Sequence, residues 1–418
     1  MRTILKQLFA ASGTRIATTV AVVVVLAATG VLTQEASTVP GGRPDLRGAN
    51  AIETRGRLLR SDFVLELTRD EVAQGLVAIG WSSVVVNSGV ALYRIEYTTI
   101  DAHGVQTTAS GLLAWPTDVE PVGVVVFGHG TDTLKAYVPS APTLEGEGVA
   151  GLFASGGFVL VAPDYVGLGM STGPHPYLQA STEASVSLDL LTAARRVART
   201  MAVSLPSSLY ITGFSQGGQT ALALDRAIEM DSNSPWTVIA VAPIAGPYDL
   251  AGTEFPRLVD GSAPNGSPYA AYLALSYIQS YGTAGVSDVF ASPYDTQVAS
   301  LFDGQHAFDD IAKALPPPRA LFRPDFLSAV ADGSDPFAWQ LRQNDTLLVA
   351  PRALVRLYYG DADTDVFPRN AQIAALAMRS VGVRVSAVDL GAGVDHPLSE
   401  QLGLPAARAW FDQLRVGK

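Results

Sequence analysis

Short apolar runs separated by amphipathic stretches recur from about residue 90 to the end of the chain. Runs suited to strands fall at 91–100, 109–115, 122–127, 158–162, 209–212, 238–242, 355–359 and 383–389. Most of the later ones are continuously apolar rather than alternating, which means burial on both faces, as in parallel sheets. Helical spacing fills the gaps: within 184–201, Val186, Leu190, Ala194, Val197 and Met201 share one stripe. The first two runs are joined by Asp101-Ala102-His103-Gly104, a turn suited to an antiparallel hairpin. An antiparallel start followed by strand–helix repeats predicts an α/β fold, a mostly parallel eight-stranded sheet flanked by helices.

One segment breaks this rhythm. Between Ala242 and Val355 there is no buried strand pattern, but many aromatic residues and the run Pro316-Pro317-Pro318. A structureless insertion of that size is improbable, so 246–350 is read as a helical cap, or lid, inserted after the sixth predicted strand. An independent aromatic-rich module is the alternative. The α/β core then comprises 90–245 and 351–418. Residues 36–89 form a linker and N-terminal extension with a candidate helix at Asp70–Ile79, and 1–35 form a separate leader.

Composition narrows the chemistry. The 418 residues carry 48% apolar side chains and a net charge of −11, with no basic cluster in the body of the chain, which argues against nucleic acid as a partner. With no cysteine, disulfides, thiolate metal sites and lipoprotein acylation are excluded. The histidines are His103, His129, His175, His306 and His396, and no two have the spacing of a helical zinc site. Neither a metal nor an organic cofactor is expected. Arg2, Lys6 and Arg15 precede the apolar run Ile16–Leu32, which reads as an export signal with a small-residue cleavage site at Ala28-Thr29-Gly30. The rival is an uncleaved anchor attaching residues 16–32 to a membrane. Either way the protein is expected to be exported: secreted, periplasmic or anchored.

The chemistry is carried by Gly213-Phe214-Ser215-Gln216-Gly217, which follows a strand pattern and opens a helical one. With 39 glycines present, chance alone supplies on the order of a few tenths of such a match, so its context decides. A sharp strand-to-helix reversal strains its middle residue and presents the serine hydroxyl at the positive end of the helix. A serine needs a general base and an orienting acid, in the chain order Ser, Asp or Glu, His. Downstream, His306 falls within the cap and reads as structural, whereas His396 follows the last strand and is the base. The acid comes from Gly360-Asp361-Ala362-Asp363-Thr364-Asp365. Spacing selects Asp363, leaving Asp361 and Asp365 to turns and caps. Asp249 is the second choice, and Asp395 is too close to His396 to orient it. The oxyanion donors are the backbone N–H groups of Gln216 and of Thr131, the latter in Phe127-Gly128-His129-Gly130-Thr131.

With these residues in place the chain resembles the α/β-hydrolases, and within them the secretory lipase family of the fungal lipase A type and its bacterial esterase relatives. Gly128-His129-Gly130, Ala162–Gly169, His175-Pro176-Tyr177, Gly213–Gly218 and the Asp363 and His396 loops carry the resemblance, over roughly 90–415. It implies a serine carboxylesterase or lipase with a lid-like cap. It also implies that Asp164, Tyr165 and His175 shape the site wall, with His129 beside them as scaffold; anchoring turns and loops is their alternative role. Fungal members use disulfides, and this chain has none. The expected activity is hydrolysis of small-molecule or lipid esters through an acyl-enzyme. A serine peptidase or amidase, with Arg319, Arg323 or Arg342 capturing a charged terminus, and a non-catalytic binding protein on the same fold are the rivals.

Overall fold

The computed structural model describes residues 55–347 and 351–416; the leader at 1–35 and most of the linker lie outside the described residues. The sheet has nine strands in the order β1-β2-β3-β5-β4-β6-β7-β8-β9: β1 Leu58–Leu67, β2 Val90–Ile100, β3 Gln106–Pro116, β4 Gly123–Gly128, β5 Phe158–Pro163, β6 Ser208–Phe214, β7 Thr237–Ile244, β8 Leu354–Tyr359 and β9 Val385–Asp389. β1, β2 and β3 pair antiparallel, as do β3 and β5, and the remaining pairs are parallel.

All eight expected strands are present, and β1 is additional. It escaped sequence reading because it is an edge strand, Leu-Leu-Arg-Ser-Asp-Phe-Val-Leu-Glu-Leu, in which no residue is fully buried. Without a core-facing set it has no clean period. The segment read as an extension is thus partly built into the sheet. Helix α1 (Arg69–Ala78) follows, held at its start by reciprocal hydrogen bonding of Thr68 and Glu71, and it buries Val72 and Leu76.

Helices cover both faces. α3 (Ala180–Thr200), α4 (Gln216–Met230) and α8 (Arg369–Ser380) bury apolar stripes on one side, with Val186, Leu190, Leu222 and Ala374 fully buried. On the other side lie α1, α2 (Leu144–Ala154) and α9 (His396–Val416), contributing Phe153 and Phe411. No helix among the described residues is long and apolar enough to cross a membrane.

Between β7 and β8 the chain is helical. It includes α5 (Gly266–Tyr281), α6 (Pro324–Asp332), α7 (Pro336–Gln343) and several shorter turns around a hydrophobic cluster of their own. Most of the aromatics counted in the sequence are that cluster: Phe255, Tyr277, Phe290 and Phe322 are fully buried. The insertion is tied to the core without disulfides. Asn344 accepts from the Ala180 N–H at 3.0 Å, donates to the Tyr281 hydroxyl at 2.8 Å, and through its carbonyl accepts from Gln219 Nε2 at 2.7 Å. Tyr277 donates to the Leu178 carbonyl at 3.1 Å.

Candidate active site

Ser215 stands between β6 and α4 with φ 55° and ψ −118°, a conformation L-residues rarely adopt, which costs about 1–3 kcal/mol. The glycines around it are required by contact. A Cβ on Gly217 would lie 1.8 Å from the Gly128 carbonyl oxygen, and one on Gly213 would lie 2.2 Å from that of Gly217. The reversal therefore works only where three backbone segments can touch.

His396 is the first residue of α9, and its ring packs 4.6 Å from that of Phe214. Its Nε2 lies 2.9 Å from Ser215 Oγ, and its Nδ1 lies 2.7 Å from Asp363 Oδ2. A proton on Nδ1 shared with the carboxylate leaves Nε2 as an acceptor for the serine hydroxyl. The other oxygen of Asp363 accepts from the Asp365 and Val366 N–H groups at 3.0 and 2.9 Å. All three side chains are buried. The neighbouring aspartates stitch loops together. Asp361 accepts from the Gly393 N–H at 2.7 Å, Asp365 from Asn265 at 3.0 Å, and Asp395 from the Leu398 N–H at 3.0 Å. The Asp249 carboxylate is occupied by the Gly252 N–H and the Thr253 hydroxyl. His306 is exposed and paired with Asp303.

Ser215 and His396 line a cavity of about 380 Å³ that also holds Thr131, Trp81, Tyr137 and Tyr269. Gln216 is buried directly behind the serine. His129, Asp164 and Tyr165, expected on the wall, do not line this cavity. Asp164 and Tyr165 have their polar atoms engaged inward, whereas the His129 ring meets Asp132 of the cavity wall at 3.1 Å. The Asp164 carboxylate accepts from Ser110 and Ser140, and the Tyr165 hydroxyl donates to the His129 carbonyl at 3.2 Å. The His129 ring stacks on Tyr165 at 4.3 Å. Anchoring is their observed role.

Three carboxyl groups on the cavity wall were not foreseen: Asp132, Glu145 and Glu400. Desolvation, reinforced by the charge of Asp132, pushes Glu145 up to about 7, and desolvation with the charges of Glu145 and Asp132 holds Glu400 well above the usual carboxylate range. Burial opposes the charged form of His129, yet the hydrogen bond and charge of Asp132 outweigh it and hold the imidazole at about 9. Glu400 lies one helical turn beyond His396, so helical spacing could have found it. Trp81 and Glu145 come from distant segments that carried no such signal. Among the described residues no cluster of His, Asp and Glu has the geometry of a metal site.

No family model matches the chain, and no curated protein sequence does. Solved structures do match. A candidate hydrolase (lpg1103) of Legionella pneumophila subsp. pneumophila is 30% identical, with a TM-score of 0.81 over 85% of this chain and 98% of its own. The chain belongs to the α/β-hydrolases. A second α/β-hydrolase, the rice cell wall degrading esterase LipA of Xanthomonas oryzae, is 29% identical, with a TM-score of 0.75 over 87% of this chain and 97% of its own. Candida antarctica lipase A, at 13% identity and a TM-score of 0.64 over 88% of this chain and 84% of its own, shares the fold.

Proposed function

We propose that the protein is a serine carboxylic-ester hydrolase in which Ser215 is the nucleophile, His396 the general base and acid, and Asp363 the group that orients His396. The observation that carries this reading is the continuous chain from Ser215 Oγ to His396 Nε2 at 2.9 Å and from His396 Nδ1 to Asp363 Oδ2 at 2.7 Å. His396 takes the serine proton as Oγ attacks the ester carbonyl. It then returns the proton to the departing alkoxide, leaving an acyl-enzyme, and activates the water that releases the acid. The Gln216 and Thr131 backbone N–H groups receive the charge developing on the carbonyl oxygen. The esterase assignment draws on the likeness to LipA. The helical insertion acts as a cap, offering Tyr269 to the cavity. Export of the protein is proposed on the leader pattern alone.

The carboxyl groups favour a particular range of substrates. Asp132, Glu145 and Glu400 face the cavity, while Arg319, Arg323 and Arg342 are exposed on the insertion and do not line it. Capture of a carboxylate-bearing peptide terminus is thereby disfavoured. Neutral esters suit the site, and so do substrates carrying an amine once Glu145 ionises above about pH 7; the latter, as aminoacyl amides, is the second reading. Ser215→Ala should abolish both p-nitrophenyl butyrate hydrolysis and fluorophosphonate labelling without moving Tm. Turnover that survives this substitution defeats the serine mechanism. A wild-type protein that neither turns over esters nor reacts with the probe would instead be a binding protein. Comparing p-nitrophenyl butyrate, a choline ester, an aminoacyl amide and a long-chain emulsion ranks the substrate classes, and a preference for acyl groups ending in a carboxylate would refute the charge argument.

A further inference from the structure

Behind the elbow, three buried polar side chains meet that the proposed chemistry leaves unused. Gln216 Nε2 lies 2.8 Å from His175 Nε2 and 2.9 Å from Glu183 Oε1, and none of the three residues lines the Ser215 cavity. His175 Nδ1 donates to the Val166 carbonyl at 2.7 Å. A singly protonated ring therefore turns its Nε2 lone pair toward the Gln216 amide. Burial keeps the ring in that neutral form, lowering its pKa to about 4. Both amide N–H bonds of Gln216 are thus engaged, and its Oε1 has no partner. A flipped amide would set that oxygen against two acceptors, so only one orientation fits.

The clamp is anchored by separate elements. His175 belongs to the loop before α3, Glu183 to the first turn of α3, and Gln216 to the start of α4. One turn further along α4, the Thr220 hydroxyl donates to the Gln216 carbonyl at 3.1 Å and meets the Tyr165 hydroxyl at 3.0 Å. Gln216 is therefore held through both its side chain and its peptide carbonyl. Burying an acid, an imidazole and an amide costs desolvation that apolar side chains of similar size would avoid. It is here that the fold has reason to bear that cost, because the preceding residue is strained at φ 55°, ψ −118°, and relief of that strain through its ψ would turn the peptide that carries the Gln216 N–H.

We propose that His175 and Glu183 are positioning residues: they clamp the Gln216 side chain so that its backbone N–H stays aimed at the oxygen of the reacting carbonyl. The inference rests on the serine-hydrolase reading. His175→Leu and Glu183→Leu should each lower kcat on p-nitrophenyl butyrate about 10- to 100-fold with KM changed by less than about threefold. Affinity for a trifluoromethyl ketone, which forms the tetrahedral adduct, should fall in parallel. Glu183→Gln, which still presents an acceptor oxygen, should keep activity within about fivefold of the parent. In a Gln216→Ala background, adding His175→Leu should change kcat by less than about threefold. Melting curves and fluorophosphonate labelling show that each variant is folded with a reachable serine. If His175→Leu does not fold, the Glu183→Leu and Glu183→Gln pair carries the test. Full kcat in the folded leucine variants, or an undiminished loss in the Gln216→Ala background, overturns the clamp. Activity in Ser215→Ala would overturn the serine reading itself, so the two failures are distinguishable.

Discussion

The sheet core and the helical insertion are both densely packed, but they bury different kinds of side chain. The core interior is mainly valine, alanine, leucine and isoleucine, interrupted by buried Asp164, Glu183, Asp225, His129 and His175. The insertion is packed with Phe255, Tyr277, Phe290, Phe322, Phe326 and Phe337. From Phe255 to Gln343 no acid or histidine is buried, and Glu254 sits at its root, bonded to Asn370. Ionisable groups are costly to bury, so they persist where geometry gives them work. Ser215, His396 and Asp363 all follow the carboxyl ends of core strands; the insertion supplies Tyr269 to the cavity of Ser215 and His396, and Pro247, Glu254 and Leu258 to a smaller pocket that also touches Ser215. In the proposed mechanism, reactivity thus belongs to the core, while the insertion supplies shape.

The largest separation of the two regions should come from Asp363→Asn. The amide keeps the volume and accepts from the same backbone N–H groups, but it favours the wrong imidazole tautomer at His396, so kcat should fall about 10⁴-fold. Tm and the aromatic near-ultraviolet signal of the insertion should barely move. A fall in kcat of less than tenfold would return the orienting role to another acid.

Legibility in the sequence divides along the same line. Ser215 could be read because the close approach of Gly213, Gly217 and Gly128 leaves no room for a Cβ, and His396 because chain order and the last strand single it out. Asp363 was separable from Asp361 and Asp365 by spacing alone. The insertion was different: its aromatics point to a cap over the site, with an independent module as the alternative, and most of them pack on one another while Tyr269 reaches the cavity. Apolar character records burial, but not whether a neighbour or a ligand does the burying. The carboxyl lining escaped because no sequence pattern joins Asp132 and Glu145 to Glu400, although Glu400 stands one helical turn beyond His396. The clamp on Gln216 escaped for the same reason.

Phe322→Ala should act in the opposite sense to Asp363→Asn. Its ring lies 5.1 Å from that of Phe290, 6.0 Å from Phe326 and 6.4 Å from Phe255. Truncating it leaves a cavity among rigid rings that cannot collapse, costing about 3–5 kcal/mol. Limited proteolysis should then cut first within the insertion, while the core keeps a serine that fluorophosphonate can label. Because no acid is involved, the loss should be equal at pH 5 and pH 8. Cleavage appearing first in the core, or a pH-dependent loss, would show that the insertion is not a separately packed unit.

The smallest effect concerns Asp225 in α4, which is fully buried with neither carboxyl oxygen bonded. Desolvation, then the charge of Glu229, raises it to about 8. The folded state therefore holds a proton that the unfolded chain releases near the ordinary carboxylate value. A raised carboxyl of this kind contributes its stability below about pH 4 and loses it as pH rises through about 8. Folding should weaken by about 3 to 4 kcal/mol between pH 5 and pH 8 on this account. Asp225→Asn has no proton to lose, so urea unfolding should show a flatter pH dependence than in the parent, with the difference spread across pH 5 to 8 and fading above it. Glu183 and Glu254, raised by burial to about 7 and 8, keep some slope in the variant. Equal slopes in the two proteins would mean that Asp225 finds a partner in solution, which would weaken the contrast between a core that buries ionisable groups and an insertion that, from Phe255 to Gln343, does not.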